Sequence, residues 1–157
     1  MVEKAAFLHT VESEIAAVRS FLELLEREQQ MLLKGQVDDL TDIARQKNGV
    51  AAELAALAAK RDRLLATSGQ ASDRAGMIAW FDAHPGDSEA RVAWASLLAV
   101  AGQARERNRI NGELIQLRMQ HNAQALKTLL GSNVFANLYG PDGQSAPESG
   151  RRISDSA

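Results

Sequence analysis

The side chains with the most to offer a partner lie late in the chain, in NRINGELIQLRMQHNAQALKTLL, from Asn108 to Leu130. Alternate steps of four and three residues give Leu97, Ala101, Ala104, Asn108, Asn111, Ile115, Arg118, Asn122, Ala125 and Leu129, a heptad-like seam whose polar members cluster in the middle. Amides and a guanidinium supply hydrogen bonds, and buried ones are costly unless bonded. This face therefore meets a polar partner inside the protein or a partner from outside. In the first case Asn108, Asn111, Arg118 and Asn122 form a buried network that fixes helix register, as single Asn residues do in coiled coils. Gly112 lies in the same run and weakens a helix by roughly 1 kcal/mol relative to Ala. It makes sense chiefly where another backbone approaches, so the sharper reading is close approach by a partner helix.

Catalysis would need convergent titratable groups, and the sequence offers none. His9, His84 and His121 are far apart, and none follows a Glu by three residues, so the Glu-x-x-His pairs of di-iron bundles are missing. Each reads as a surface or capping residue. HExxH, a glycine-rich phosphate loop and GxSxG are also absent. The expectation is a protein that is not an enzyme and has no catalytic, cofactor-binding or metal-ligating residues.

Composition narrows the class further. At 157 residues with 45% hydrophobic content, the chain suits one folded domain with a real core. Eighteen basic and 20 acidic residues are interspersed for a net charge of -2, which gives no basic footprint for nucleic acid. Without cysteine there are no disulfides, Cys-ligated zinc or thiol chemistry, and a reducing compartment, the cytoplasm, is the expected location. Glu3, Glu12 and Glu14 interrupt the stretch where a signal peptide would need an apolar run. The most apolar segment, Val50 to Ala59, is roughly half of the ~20 residues needed to cross a bilayer, and reads as a buried helix face.

Three long helices must position the seam. In the first, from about 3 to 34, Leu8, Val11, Ile15, Val18, Leu22, Leu25, Gln29 and Leu32 alternate three and four apart without Pro or Gly. Phe7 and Phe21 widen the stripe to suit a bundle of three or more helices. Lys34-Gly35 ends the run. The second, from about 38 to 68 with Asp38 as N-cap, repeats the rhythm at Leu40, Ile43, Lys47, Val50, Leu54, Leu57, Arg61 and Leu64. The short connection makes the pair an antiparallel hairpin. The small residues Ala51, Ala52, Ala55, Ala56, Ala58 and Ala59 leave room for another helix to approach. A short helix from about 73 to 83, capped by Ser72, places Met77, Ile78, Trp80 and Phe81 over one end of the hairpin, where Trp94 can join them. After His84-Pro85-Gly86, Asp87 or Ser88 caps a third long helix that runs to about Leu130. The fold class is all-α, a long antiparallel hairpin plus a third long helix. A helical domain over 1–131 precedes a flexible tail over 132–157 that holds an apolar cluster at Val134, Phe135, Leu138 and Tyr139 and a Pro141 turn.

The run N-x-x-N-G-x-L-I-x-x-R-x-x-x-N-x-x-A-L, from Asn108 to Leu126, resembles the late-helix signature of FlgN-type flagellar export chaperones. Leu138-Tyr139-Gly140 to Gln144 and the later Gly150-Arg151-Arg152-Ile153 are similar to that family's tail. The layout of two long helices, an irregular middle, a long helix and a tail with a tyrosine extends the likeness over essentially the whole chain. The resemblance implies a cytoplasmic chaperone of type III flagellar export that binds the hook-filament junction proteins FlgK and FlgL by their C-terminal amphipathic helices and prevents their premature assembly. It also implies a peripheral contact with the membrane export apparatus. Asn108, Asn111, Gly112, Ile115, Arg118, Met119, Asn122 and Leu126 would then hold cargo, and Tyr139 would engage the export gate FlhA. The alternative is a structural coiled-coil protein that self-associates through its seams.

Overall fold

Apolar residues three and four apart, with Pro85 and the left-handed Gly35 and Gly69 in the breaks between runs, produce four helices: α1 (Val2–Lys34), α2 (Leu40–Thr67), α3 (Arg74–Ala83) and α4 (Ser88–Leu130). The computed structural model describes residues 2–130, with the side chains described from Lys4. Among these residues there is no strand, and the fold is an all-α helical bundle. The chain divides into two compact units, Met1–Leu114 and a second that begins at Ile115, whose described part runs to Leu130. The expected tail, with Val134, Phe135, Leu138, Tyr139 and the Pro141 turn, lies outside the described residues.

Two left-handed glycines end the first two helices. Gly35 has φ 73° and lets the Gln36 N–H donate to the Met31 carbonyl at 2.9 Å. Gly69 has φ 78°, and Gln70 N–H donates to Leu65 at 2.8 Å. Both are Schellman closures, which a residue with a Cβ would strain.

Between these stops α1 and α2 lie antiparallel, and two ion pairs fix their register. Arg61 holds Glu14 through two parallel bonds of 2.9 and 3.1 Å, and Lys47 holds Glu28 at 3.1 and 3.3 Å. The two acids are as far apart along α1 as the two cations are along α2, in opposite order, as an antiparallel pair requires. The expected seams are the buried ones. Val11, Ile15, Val18, Leu25 and Leu32 of α1 are buried, and in α2 Ile43 is buried while Val50, Leu54, Leu57 and Leu64 are half-buried.

The core is richest where α3 meets α1. Phe7 stacks on Trp80 with centroids 4.2 Å apart, Trp80 stacks on His84 at 4.0 Å, and Phe81 stands edge-on to Trp80 at 5.5 Å. His84 is the C-cap of α3, and its Nδ1 lies 2.8 Å from the Trp80 carbonyl oxygen, so it caps as its position suggests. The Arg91 guanidinium donates to the Phe81 carbonyl at 2.8 Å, satisfying another acceptor at that helix end. Trp94 is half-buried against this cluster and takes Arg61 over its face at 4.9 Å.

Several local expectations need correction. Asp39, not Asp38, occupies the α2 N-cap, in a turn-like conformation and without a side-chain bond, because the start of the helix is closed by a backbone turn from Leu40 N–H to Val37 O. Asp73, not Ser72, caps α3: extended at φ -119°, it accepts from Gly76 N–H at 2.8 Å. Ile78 points outward at 54% exposure, since one turn of α3 cannot bury every apolar side chain against a single face. The stretch from Val50 to Ala59 is buried only along its seam. Ala51, Ala52, Ala55, Ala56 and Ala59 are exposed, and no helix of the described residues covers them.

Candidate functional site

The polar seam of α4 resolves turn by turn. Within the first unit its apolar members Leu97 and Ala104 are buried, and Asn111 sits deeper still at 1% exposure. The Asn111 amide donates from one nitrogen to the Leu25 carbonyl at 2.8 Å and to Glu28 Oε1 at 2.9 Å. Asn108 is exposed, yet its Oδ1 accepts from Lys47 Nζ at 2.9 Å. Glu28 thus receives Lys47 and Asn111, and Lys47 reaches both Glu28 and Asn108, in one network that joins α1, α2 and α4. Lys47 also lies 5.7 Å from the Phe21 ring centroid. This answers one of the sequence alternatives: the amide of Asn111 has its polar partner inside the protein. Asn111, expected among the cargo contacts, is a structural residue here because its side chain has no surface to offer.

Gly112 is exposed, and a Cβ placed on it would meet nothing within 4 Å. No backbone of the described residues approaches it, so the internal close approach that would explain a helical glycine is absent there. The neighbouring turns carry a compensation. Arg109 bonds Glu106 at 2.6 Å one turn before and Glu113 at 2.6 Å one turn after, a staple across the glycine. The guanidinium holds the Glu106 carboxyl below the usual carboxylate range, chiefly through that hydrogen bond.

The described part of the second unit, Ile115 to Leu130, has a different character. Ile115, Leu117, Met119, Leu126, Leu129 and Leu130 are all exposed, Met119 to 65% and Leu129 to 83%. Ile115, Met119, Asn122, Leu126 and Leu129 recur four and three apart, so they form one stripe. Asn122 is exposed on it, and Arg118 is half-buried beside it. A stripe of this kind is the pattern of a helix that packs on another, and on these turns it is open. Of the eight residues singled out by sequence, Ile115, Met119, Asn122 and Leu126 are brought onto one open face.

Sequence reasoning missed Glu14 and Glu28 as partners of Arg61 and Lys47. One signal was available. Phe7, Glu14, Phe21 and Glu28 recur every seven residues, which puts both acids on the same buried flank as the aromatics. The exposed Leu117 and Leu130 were also passed over, and Leu129 was placed on the seam but not among the contacts.

Among the described residues no group of three or more His, Asp and Glu converges as a metal site, and no helix is long and apolar enough to cross a membrane. The described residues thus form a helical hairpin register-locked by buried ion pairs and a last helix that ends in an exposed apolar stripe. Residues 1–147 match the family described as FlgN protein. The flagella synthesis protein FlgN of Yersinia enterocolitica serotype O:8 / biotype 1B is 30% identical over 147 residues, covering 91% of this chain and 92% of the relative. Another flagella synthesis protein FlgN from Yersinia enterocolitica is 33% identical over 143 residues, 84% of this chain and 90% of the relative. No solved structure matches. The chain belongs to the FlgN family, a chaperone-type family of flagellum biogenesis.

Proposed function

We propose that this protein is a cytoplasmic flagellar type III export chaperone that holds the C-terminal amphipathic helices of the hook-filament junction proteins FlgK and FlgL and delivers them to the export gate FlhA. The observation that carries the reading is the open stripe of Ile115, Met119, Leu126 and Leu129 on the last turns of α4. A cargo whose terminal helices pair only in the finished filament has apolar faces exposed beforehand, and a matching helical stripe covers them. Covering them suppresses premature assembly, a task that calls on no cofactor or catalytic group.

In this reading Gly112 leaves space for the cargo backbone, Ile115, Met119 and Leu126 supply apolar contacts, and Asn108, Arg118 and Asn122 supply polar ones. Residues 132–157 act as a separate tail whose Tyr139 docks on FlhA. An aromatic ring buries much area with few rotatable bonds, which suits docking in a pocket.

The test is calorimetric titration of the full chain with the FlgK C-terminal segment, with amide exchange measured on the complex. Protection concentrated on 115–130 is the expected outcome. A full chain that does not bind the segment, or that buries 108–126 in a symmetric contact with a second copy, would replace this reading with self-association.

A further inference from the structure

The N-terminal turns of α1 and α4 form a second surface, within the first unit and independent of the stripe above. Asp87 precedes α4, and its carboxylate is buried, with the side chain 8% exposed. Its Oδ1 accepts from Ala90 N–H at 3.2 Å as the helix cap. Its Oδ2 is buried with no hydrogen-bond partner among the described residues. The nearest cation, Lys4 Nζ, stands 4.0 Å away, beyond hydrogen-bond reach, on a side chain 40% exposed. A buried carboxylate oxygen left without a donor is costly, and most such atoms in folded proteins are satisfied.

Asp87 lines a cavity of about 390 Å³ together with Lys4, Leu8, Gly86 and Glu89. Leu8, Ser88 and Glu89 also line an adjoining groove of about 430 Å³, where Leu8, Glu12 and Ile15 of α1 face Glu89, Val92 and Ala93 of α4. The floor is apolar, and Val92 is 67% exposed above it. Glu12 and Glu89 are exposed and have no bonding partner among the described residues. Three carboxylates and one ammonium thus surround an apolar trough. Leu8, Glu12 and Ile15 span about two helical turns, or ~10 Å.

We propose that this trough docks a short basic amphipathic helix of a protein partner, whose apolar face covers Leu8, Ile15 and Val92 and whose Lys or Arg donates to Asp87 Oδ2 between Glu12 and Glu89. The charge balance selects the partner's sign, the orphan acceptor requires a donor, and the trough admits about two turns. Arginine suits the site better than lysine, since its fork reaches a carboxylate with more than one N–H.

The probes are two synthetic helical peptides with the same leucine face, one flanked by arginines and the other by glutamates, titrated into the full chain by fluorescence anisotropy and mapped by amide chemical shifts. The arginine peptide is expected to bind, more weakly as salt rises, with shifts at Leu8, Ile15 and Val92, and the glutamate peptide to bind at least tenfold more weakly. Glu12→Arg with Glu89→Arg alters two exposed positions and should reduce arginine-peptide affinity at least tenfold with the circular dichroism unchanged. Asp87→Asn keeps an oxygen for the helix cap and removes the charge, so it should lower affinity severalfold with the circular dichroism unchanged. Equal affinity for both peptides, undiminished binding by either variant, or shifts confined to 115–130 would overturn the proposal. Sedimentation that shows a dimer abolished by the double variant would overturn it too, because the occupant would then be a second copy.

Discussion

The Asn111 amide nitrogen lies 2.9 Å from Glu28 Oε1 and 2.8 Å from the Leu25 carbonyl oxygen, which ties α4 to α1 at the last buried position of the α4 seam. Removing one member of a buried hydrogen-bonded group costs more than the bond itself contributed, because the partner stays buried and unsatisfied. Asn111→Ala should therefore destabilise the fold by about 2 kcal/mol. Urea denaturation followed by circular dichroism measures it. A variant that melts as the parent does while losing cargo affinity would return Asn111 to the binding face.

A sharper test concerns Glu14 and Arg61, whose side chains are 5% and 17% exposed. Breaking a buried pair by deleting one member typically costs about 3–5 kcal/mol, whereas replacing both with well-packed apolar residues is often neutral. Arg61→Met alone should be strongly destabilising and Glu14→Leu with Arg61→Met close to the parent, apart from the Trp94 face that loses its cation. Equal losses in the single and double variants would mean that the guanidinium acts through packing rather than charge.

These two relationships show what could be read from residue order. The seams of α1 and α2 were legible because each records one buried face at helical spacing, and Lys47 and Arg61 fell on a seam that had to bury them. Their partners were not legible, since periodicity says which face turns inward and nothing about what stands opposite. The same limit separates Asn111 from Ile115. They belong to one seam of a 43-residue helix, yet one is buried and the other open. A heptad rhythm marks the face and carries no information about which turns have a neighbour. The exposed alanines of α2 show the reverse error, in which apolar composition was read as burial although alanine costs little when solvated.

Gly76 and Gly112 should respond oppositely to alanine. A Cβ on Gly76 would collide with the Ala71 carbonyl oxygen and stand 2.6 Å from its carbon, so the backbone itself would have to move. Overpacking of this kind costs about 1–3 kcal/mol, and Gly76→Ala should lower the melting temperature accordingly. Gly112→Ala meets nothing and removes the helix penalty of glycine, so it should stabilise by roughly 0.5–1 kcal/mol. Thermal melts of the two variants give the comparison, and destabilisation by Gly112→Ala would show that the helix needs the glycine for itself.

The functional prediction rests on the contrast between turns. Met119 is 65% exposed and Leu126 38%, on the stripe that ends in Leu129. Neither is a core residue, so Met119→Asp and Leu126→Asp should leave urea denaturation within about 0.5 kcal/mol of the parent. A carboxylate placed against a partner's apolar face would be desolvated without a counter-charge, a cost large enough to reduce binding at least tenfold. Gly112→Leu extends the series, because a bulky side chain on an open glycine should obstruct a helix approaching there while the fold tolerates it. Calorimetry with the FlgK C-terminal segment reads all three. If Met119→Asp and Leu126→Asp bind as the parent does while Gly112→Leu is also silent, the cargo lies elsewhere than on α4. If all three instead unfold the chain, the stripe is covered in solution and the face belongs to a second copy.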